Sequence, residues 1–105
     1  MMPMTNKKFY TDYVNHAVRF YMTTPDSLQL AGHSPADLAN WVSVQTALSE
    51  LTDEDRELVR SVVGAAEPTE VVVKRFANHC GRPVQELWTV LNGFTKRVAI
   101  LRGLI

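Results

Sequence analysis

The 105-residue sequence predicts an all-α fold, about five helices in one domain with a C-terminal helix-turn-helix. Three observations carry that expectation. Apolar residues return every three or four positions rather than every second one. Cap-forming Ser34, Thr52 and Thr69 stand just ahead of three of those stretches. Most glycine and proline lies between the stretches rather than within them.

The first predicted helix runs from about Asn6 to Met22. Phe9, Tyr13, His16 and Phe20 form one stripe, flanked by Tyr10, Val14, Ala17 and Tyr21, so a broad apolar face needs covering. Residues 23–33, with Pro25, Asp26, Ser27 and Gly32, form a loop. The second helix opens with Ser34 as cap, Pro35 in the first position and Asp37 against the helix dipole. Leu38, Trp41, Val42 and Leu48 are its expected buried side, and it ends near Leu51. The third has Thr52 as cap and Asp53, Glu54 and Asp55 in its first turn. Leu58, Val59, Val62 and Val63 face inward, and Gly64 and Pro68 end it.

The fourth runs from Thr69, its expected cap, to about Cys80. Val71, Val72 and Val73 are β-branched and favour a strand. The later spacing of Phe76, Ala77 and Cys80 favours a helix, and a lone strand has no partner. The fifth, from Pro83 to about Arg102, is the longest. Val84, Leu87, Leu91, Phe94, Val98, Leu101 and Ile105 make one continuous apolar seam. Gly93 interrupts it at a cost of about 1 kcal/mol relative to alanine. Residues 6–51 thus form an N-terminal helical pair and residues 52–105 a second portion of the same domain.

The proportions, 46% hydrophobic and 21% charged, are those of an ordinary globular protein. No apolar run approaches the roughly 18 residues of a membrane span. The segment 1–8 leads directly into Phe9, Tyr10, Thr11 and Asp12, without the apolar stretch of a secretory signal. A single cysteine, Cys80, excludes a disulfide within the chain and suits a reducing cytoplasm, the expected location. Net charge is zero, but its distribution is uneven. Residues 1–68 carry five Lys/Arg against nine Asp/Glu, or −4; residues 69–105 carry six against two, or +4. A polyanion is drawn to the second part and repelled by the first.

The densest local pattern lies around Gly81. Two helices meeting at a tight turn need a small residue where they touch, a residue tolerant of positive φ at the turn, and apolar residues on both sides. Ala77 is the small contact, Gly81 the turn, Phe76 and Cys80 the anchors before it, and Leu87 and Val90 those after it. With the stretch Ala47 to Val59 and the stretch Val72 to Gly81, followed by Val84 through Lys96-Arg97, residues 48–99 resemble the promoter-binding region 4 of bacterial sigma factors and the small sigma-like regulators of phages and mobile elements. Arg82 departs from the pattern, which usually has an apolar residue after the turn glycine. The resemblance covers about half the chain and implies a stand-alone sequence-specific DNA-binding transcription regulator, with double-stranded DNA and RNA polymerase as partners.

The residues of the fifth helix support the same expectation independently. Gln85, Thr89, Asn92 and Lys96 form a polar stripe opposite the seam, and such side chains can hydrogen-bond base edges in the major groove. Lys74, Arg75, Arg82, Lys96 and Arg97 are the expected phosphate contacts. Every solvated helix face is polar, so the stripe has weight only beside the turn pattern and the uneven charge.

No catalytic constellation accompanies these features. His16, His33, His79 and Cys80 have no CxxC or HxxxH spacing, and Asp53, Glu54, Asp55 and Glu57 stand at a helix start where acids are favoured anyway. No phosphate-cradling glycine loop is present. Neither a metal, a cofactor nor an enzymatic activity is expected. The competing function is a helical protein–protein interaction module, forming a homodimer or binding a partner through the apolar seam and Trp88. Tyr10, Tyr13, Tyr21 and Ile100 are candidates for such a surface.

Overall fold

Two of the helices open on side-chain caps. The computed structural model describes residues 10–23 and 32–105, and within them the helices are α1 (Thr11–Thr23), α2 (Pro35–Ser49), α3 (Asp53–Gly64), α4 (Thr69–Cys80) and α5 (Val84–Leu101). The expected start of the first helix at Asn6 and most of the 23–33 loop lie outside the described residues. Ser34 Oγ accepts from the Asp37 amide at 3.2 Å, and Thr52 Oγ1 accepts from the Asp55 amide at 3.2 Å. Both are the predicted N-caps. Thr69 is not one. Pro68 occupies the cap position without a side-chain bond, and Thr69 is the first residue of α4. The Val71–Val73 run is helical, because Val72 and Val73 gain burial there that an isolated strand does not offer.

Two apolar clusters hold the helices together, and α5 belongs to both. Its second half contributes Phe94, Val98 and Ala99 to a cluster with Val14 and Val18 of α1, Val44 and Leu48 of α2, and Val59 of α3. Its first half contributes Leu87 to a smaller cluster with Leu58 of α3 and Val73 and Ala77 of α4. Leu91 packs against both. The chain ends in a left-handed turn at Gly103, where the Leu104 amide donates to the Ala99 carbonyl at 2.8 Å and Leu104 packs on the larger cluster.

Two buried faces differ from expectation. On α1 the buried side chains are Val14, Ala17 and Val18, whereas Tyr13 and His16 are exposed. The wide apolar face has turned by about one residue, so that the Tyr13 hydroxyl reaches the Asn40 carboxamide at 2.9 Å. On α2, Trp41 and Leu48 are buried as expected, but Leu38 is 39% and Val42 55% exposed. Asp37 is the only charged residue of α2, so its sequence does not mark one side as wet. The side chosen carries Asn40, whose buried Oδ1 accepts from Tyr13 and, at 2.5 Å, from Arg102 Nε. A polar group buried with its bonds made ties α1, α2 and the end of α5 together.

No helix among the described residues is long and apolar enough to cross a membrane.

Two glycines separate backbone conformation from packing. Gly93 lies exposed within α5, and an added Cβ meets nothing within 4 Å, so Gly93→Ala is expected to raise stability by about 1 kcal/mol. Gly81 has equal space but a φ of 73°, so Gly81→Ala is expected to lower it by about 1 kcal/mol. Urea midpoints moving in opposite directions for the two variants check this.

Candidate nucleic-acid interface

The connection between α4 and α5 is built by three residues. Gly81 takes the left-handed conformation, and its amide donates to the Ala77 carbonyl at 2.8 Å, closing α4. Arg82 and Pro83 follow, and the Pro83 carbonyl accepts from the Glu86 amide at 3.1 Å as α5 begins. Ala77 and Leu87 are buried across the connection, with Phe76, Trp88 and Val90 half-buried around them. Cys80 is half-buried and His79 exposed.

Opposite the clusters, Gln85, Thr89, Asn92 and Lys96 are all exposed along α5. At 1.5 Å per residue they span about 17 Å, roughly half a turn of duplex DNA. The Thr89 hydroxyl donates back to the Gln85 carbonyl at 3.1 Å and keeps its lone pairs free to accept.

The five basic residues expected at phosphates fall into three groups. Lys74 and Lys96 are exposed and make no ion pair among the described residues. Arg75 and Arg97 each grip a carboxylate with two nitrogens. Arg75 donates to Glu67 at 2.7 and 2.9 Å, and Arg97 to Glu50 at 3.0 and 3.0 Å. Both pairs are well exposed to solvent. Hydrogen bonding from the paired guanidinium, before any other cause, holds Glu50 and Glu67 below the ordinary 4.5.

Arg82 differs from both. Its Nη1 donates to Glu54 at 2.6 Å and to Asp55 at 2.7 Å, and its Nε donates to Glu86 at 2.7 Å. Hydrogen bonds to Asp55, then Glu86 and Glu54, raise its pKa still further above the ordinary guanidinium range. This explains the departure from an apolar residue after Gly81: Arg82 bolts the acidic start of α3 to the start of α5. A phosphate taking Arg82 would strand those carboxylates beside each other.

The apolar seam lies largely inside the fold. Leu87, Phe94 and Val98 are buried and Leu91 and Leu101 partly so, leaving Val84 and Ile105 exposed. Of the other candidates for a partner surface, Tyr10 is buried and the Tyr21 ring centre lies 5.1 Å from that of Trp41, while Tyr13 and Ile100 are exposed. Among the described residues, no three His, Cys, Asp or Glu side chains converge as a metal site requires. No protein-family model, no curated protein and no solved structure matches the chain.

Sequence reasoning missed the partners of Arg75 and Arg97, since separations of 8 and 47 residues leave no local pattern. It had a signal for Arg82, because Arg82 and Glu86 stand four apart. It also missed a cleft between α1, α3 and α5, which Asn92 borders.

Glu50 and Glu67 titrate lower in the folded chain than in the unfolded one. Their stabilisation is therefore complete above 4.5 and is lost as pH falls through their folded values. The Glu50→Gln, Glu67→Gln double variant should be less stable than the parent at pH 7, and the gap should close as pH drops below 4.5. Urea unfolding at a series of pH values checks the sign.

Proposed function

We propose that the protein is a sequence-specific DNA-binding transcription regulator of the cytoplasm, with α4 and α5 acting as a helix-turn-helix and α5 lying in the major groove. The observation that carries this is the uncovered polar edge of α5: Gln85, Thr89, Asn92 and Lys96 are exposed together on a helix whose other side is held in two cores. Gln85 and Thr89 are near the start of α5, where recognition helices meet base edges; the Gln85 amide can donate and accept there, and the Thr89 hydroxyl can accept. Lys74 and Lys96 supply phosphate contacts without breaking any ion pair. Arg75 and Arg97 join them by exchanging a carboxylate for a phosphate, which is cheap because exposed ion pairs contribute little. Arg82 positions α5. RNA polymerase is a second partner on the same reading, in keeping with the resemblance to sigma region 4.

Binding to sheared DNA from the host should weaken steeply with salt. Lys96→Glu should weaken it across sequences and flatten the slope of log K against log salt by about 1. Glu50→Gln frees Arg97 and should tighten binding and steepen that slope by a similar amount. Titrations of labelled duplex at two ionic strengths check both, and undetectable binding at low salt would defeat the proposal.

A second function, a helical interaction module, is favoured by one observation. The outward face of α2 exposes Leu38 and Val42 one turn apart on a helix with a single charge. On this alternative the contact surface is α2 and not the α5 seam. Self-association seen in sedimentation and abolished by Val42→Asp would support it; a strict monomer without a co-purifying partner counts against it.

A further inference from the structure

The cleft between α1, α3 and α5 encloses about 300 Å³, at the lower end of the range for small-molecule sites. Val59 and Leu91 belong to an apolar lining, and Trp88 adds an indole. Asn15 and Arg19 come from α1 and Asn92 from α5. No aspartate or glutamate is among the lining residues.

The absence of acid there contrasts with the treatment of arginine elsewhere. Arg56 pairs with Asp53, Arg75 with Glu67, Arg82 with three carboxylates and Arg97 with Glu50, while Arg102 is held by Asn40 and Tyr13. Arg19 and Arg60 alone among the arginines have neither an ion pair nor a side-chain hydrogen bond among the described residues, and Arg19 borders this cleft. A guanidinium beside apolar side chains, with no carboxylate among the residues lining the cleft, attracts an anion from solution.

We propose that this cleft binds a small aromatic monocarboxylate, its carboxylate on Arg19 and its ring on the apolar lining beside Trp88. The planar fork of a guanidinium matches a carboxylate with two parallel hydrogen bonds, and the amide groups of Asn15 and Asn92, which also line the cleft, supply further donors. One cation selects a single negative charge, since a dianion would keep an uncompensated charge next to hydrocarbon. An aromatic ring suits both the apolar lining and the indole. The volume limits the ligand to about the size of a bicyclic acid. The proposal does not rest on DNA binding, although Asn92 borders both surfaces.

The test titrates 2-naphthoate, its neutral isostere 2-naphthamide, and acetate into the ¹⁵N-labelled protein, with no DNA present. The two tryptophans make the readout local, because Trp41 is buried against Tyr21 on another side of the fold. A saturable shift of the Trp88 indole N–H by 2-naphthoate, with Trp41 unmoved, is expected. Binding of 2-naphthamide should be at least tenfold weaker, and acetate should not shift Trp88. Arg19→Gln should weaken 2-naphthoate at least tenfold and leave 2-naphthamide unchanged. Arg19 is exposed, so this variant should keep the parent's spectrum elsewhere. Equal affinity for acid and amide, an unchanged affinity in Arg19→Gln, or no saturable shift at Trp88 would each overturn the proposal.

Discussion

Burial of one side of α5 in two separate clusters is the constraint on which the rest of the structure depends. Leu87 at one end and Val98 at the other have no exposed surface, and each such burial stabilises by about 1.5–3 kcal/mol. A helix held at both halves cannot rotate without exposing one cluster or the other. With 3.6 residues per turn, the positions opposite Leu87, Phe94 and Val98 must then face outward, and these are Gln85, Thr89, Asn92 and Lys96. Packing thus creates the polar edge before any question of function arises. It also consumes the seam that a protein partner would otherwise meet, which shifts any apolar docking surface to the outside of α2.

Charge follows a second rule, which the linear sequence conceals. The −4 and +4 portions of the chain are folded onto one another. Arg97 of the basic part reaches Glu50 of the acidic part, Arg75 reaches Glu67, and Arg82 sits among Glu54, Asp55 and Glu86. Asymmetry along the chain is partly cancelled in space, leaving Lys74 and Lys96 as the unpaired cations of the basic part among the described residues, beside whichever pairs can open. The two bidentate pairs resemble an arginine–phosphate contact with a carboxylate in place of the phosphate, so they store a cation where a stronger anion can claim it. Arg82 is different in kind, since three acids would repel one another without it.

Local chemistry was legible in the sequence and orientation was not. Ser34 and Thr52 declared their helices because a cap acts on its own first turn, and Gly81 declared a break because positive φ is a property of one residue. The buried side of α2 was hidden, since Leu38 and Val42 are as apolar as Trp41 and Leu48; a hydrogen bond between Tyr13 and Asn40, on different helices, accompanies the choice. The same reason hid the carboxylates opposite Arg75 and Arg97. The polar edge of α5 was legible because it lies on one regular helix. The cleft was not, because Arg19, Val59 and Trp88 meet only after three helices have packed.

The cleft and the edge divide α5 between them. Asn92 lies on the exposed edge and also borders the cleft, which runs back along α5 as far as Trp88. Gln85 and Thr89 lie on the exposed edge and outside the cleft lining, and on the proposed reading they are the first turns offered to base pairs. The Arg82 clamp fixes where those first turns begin, and it neutralises part of an acidic surround that would otherwise repel phosphate. On the two proposals, two ligands of like charge would share Asn92 and otherwise use different side chains of the helix.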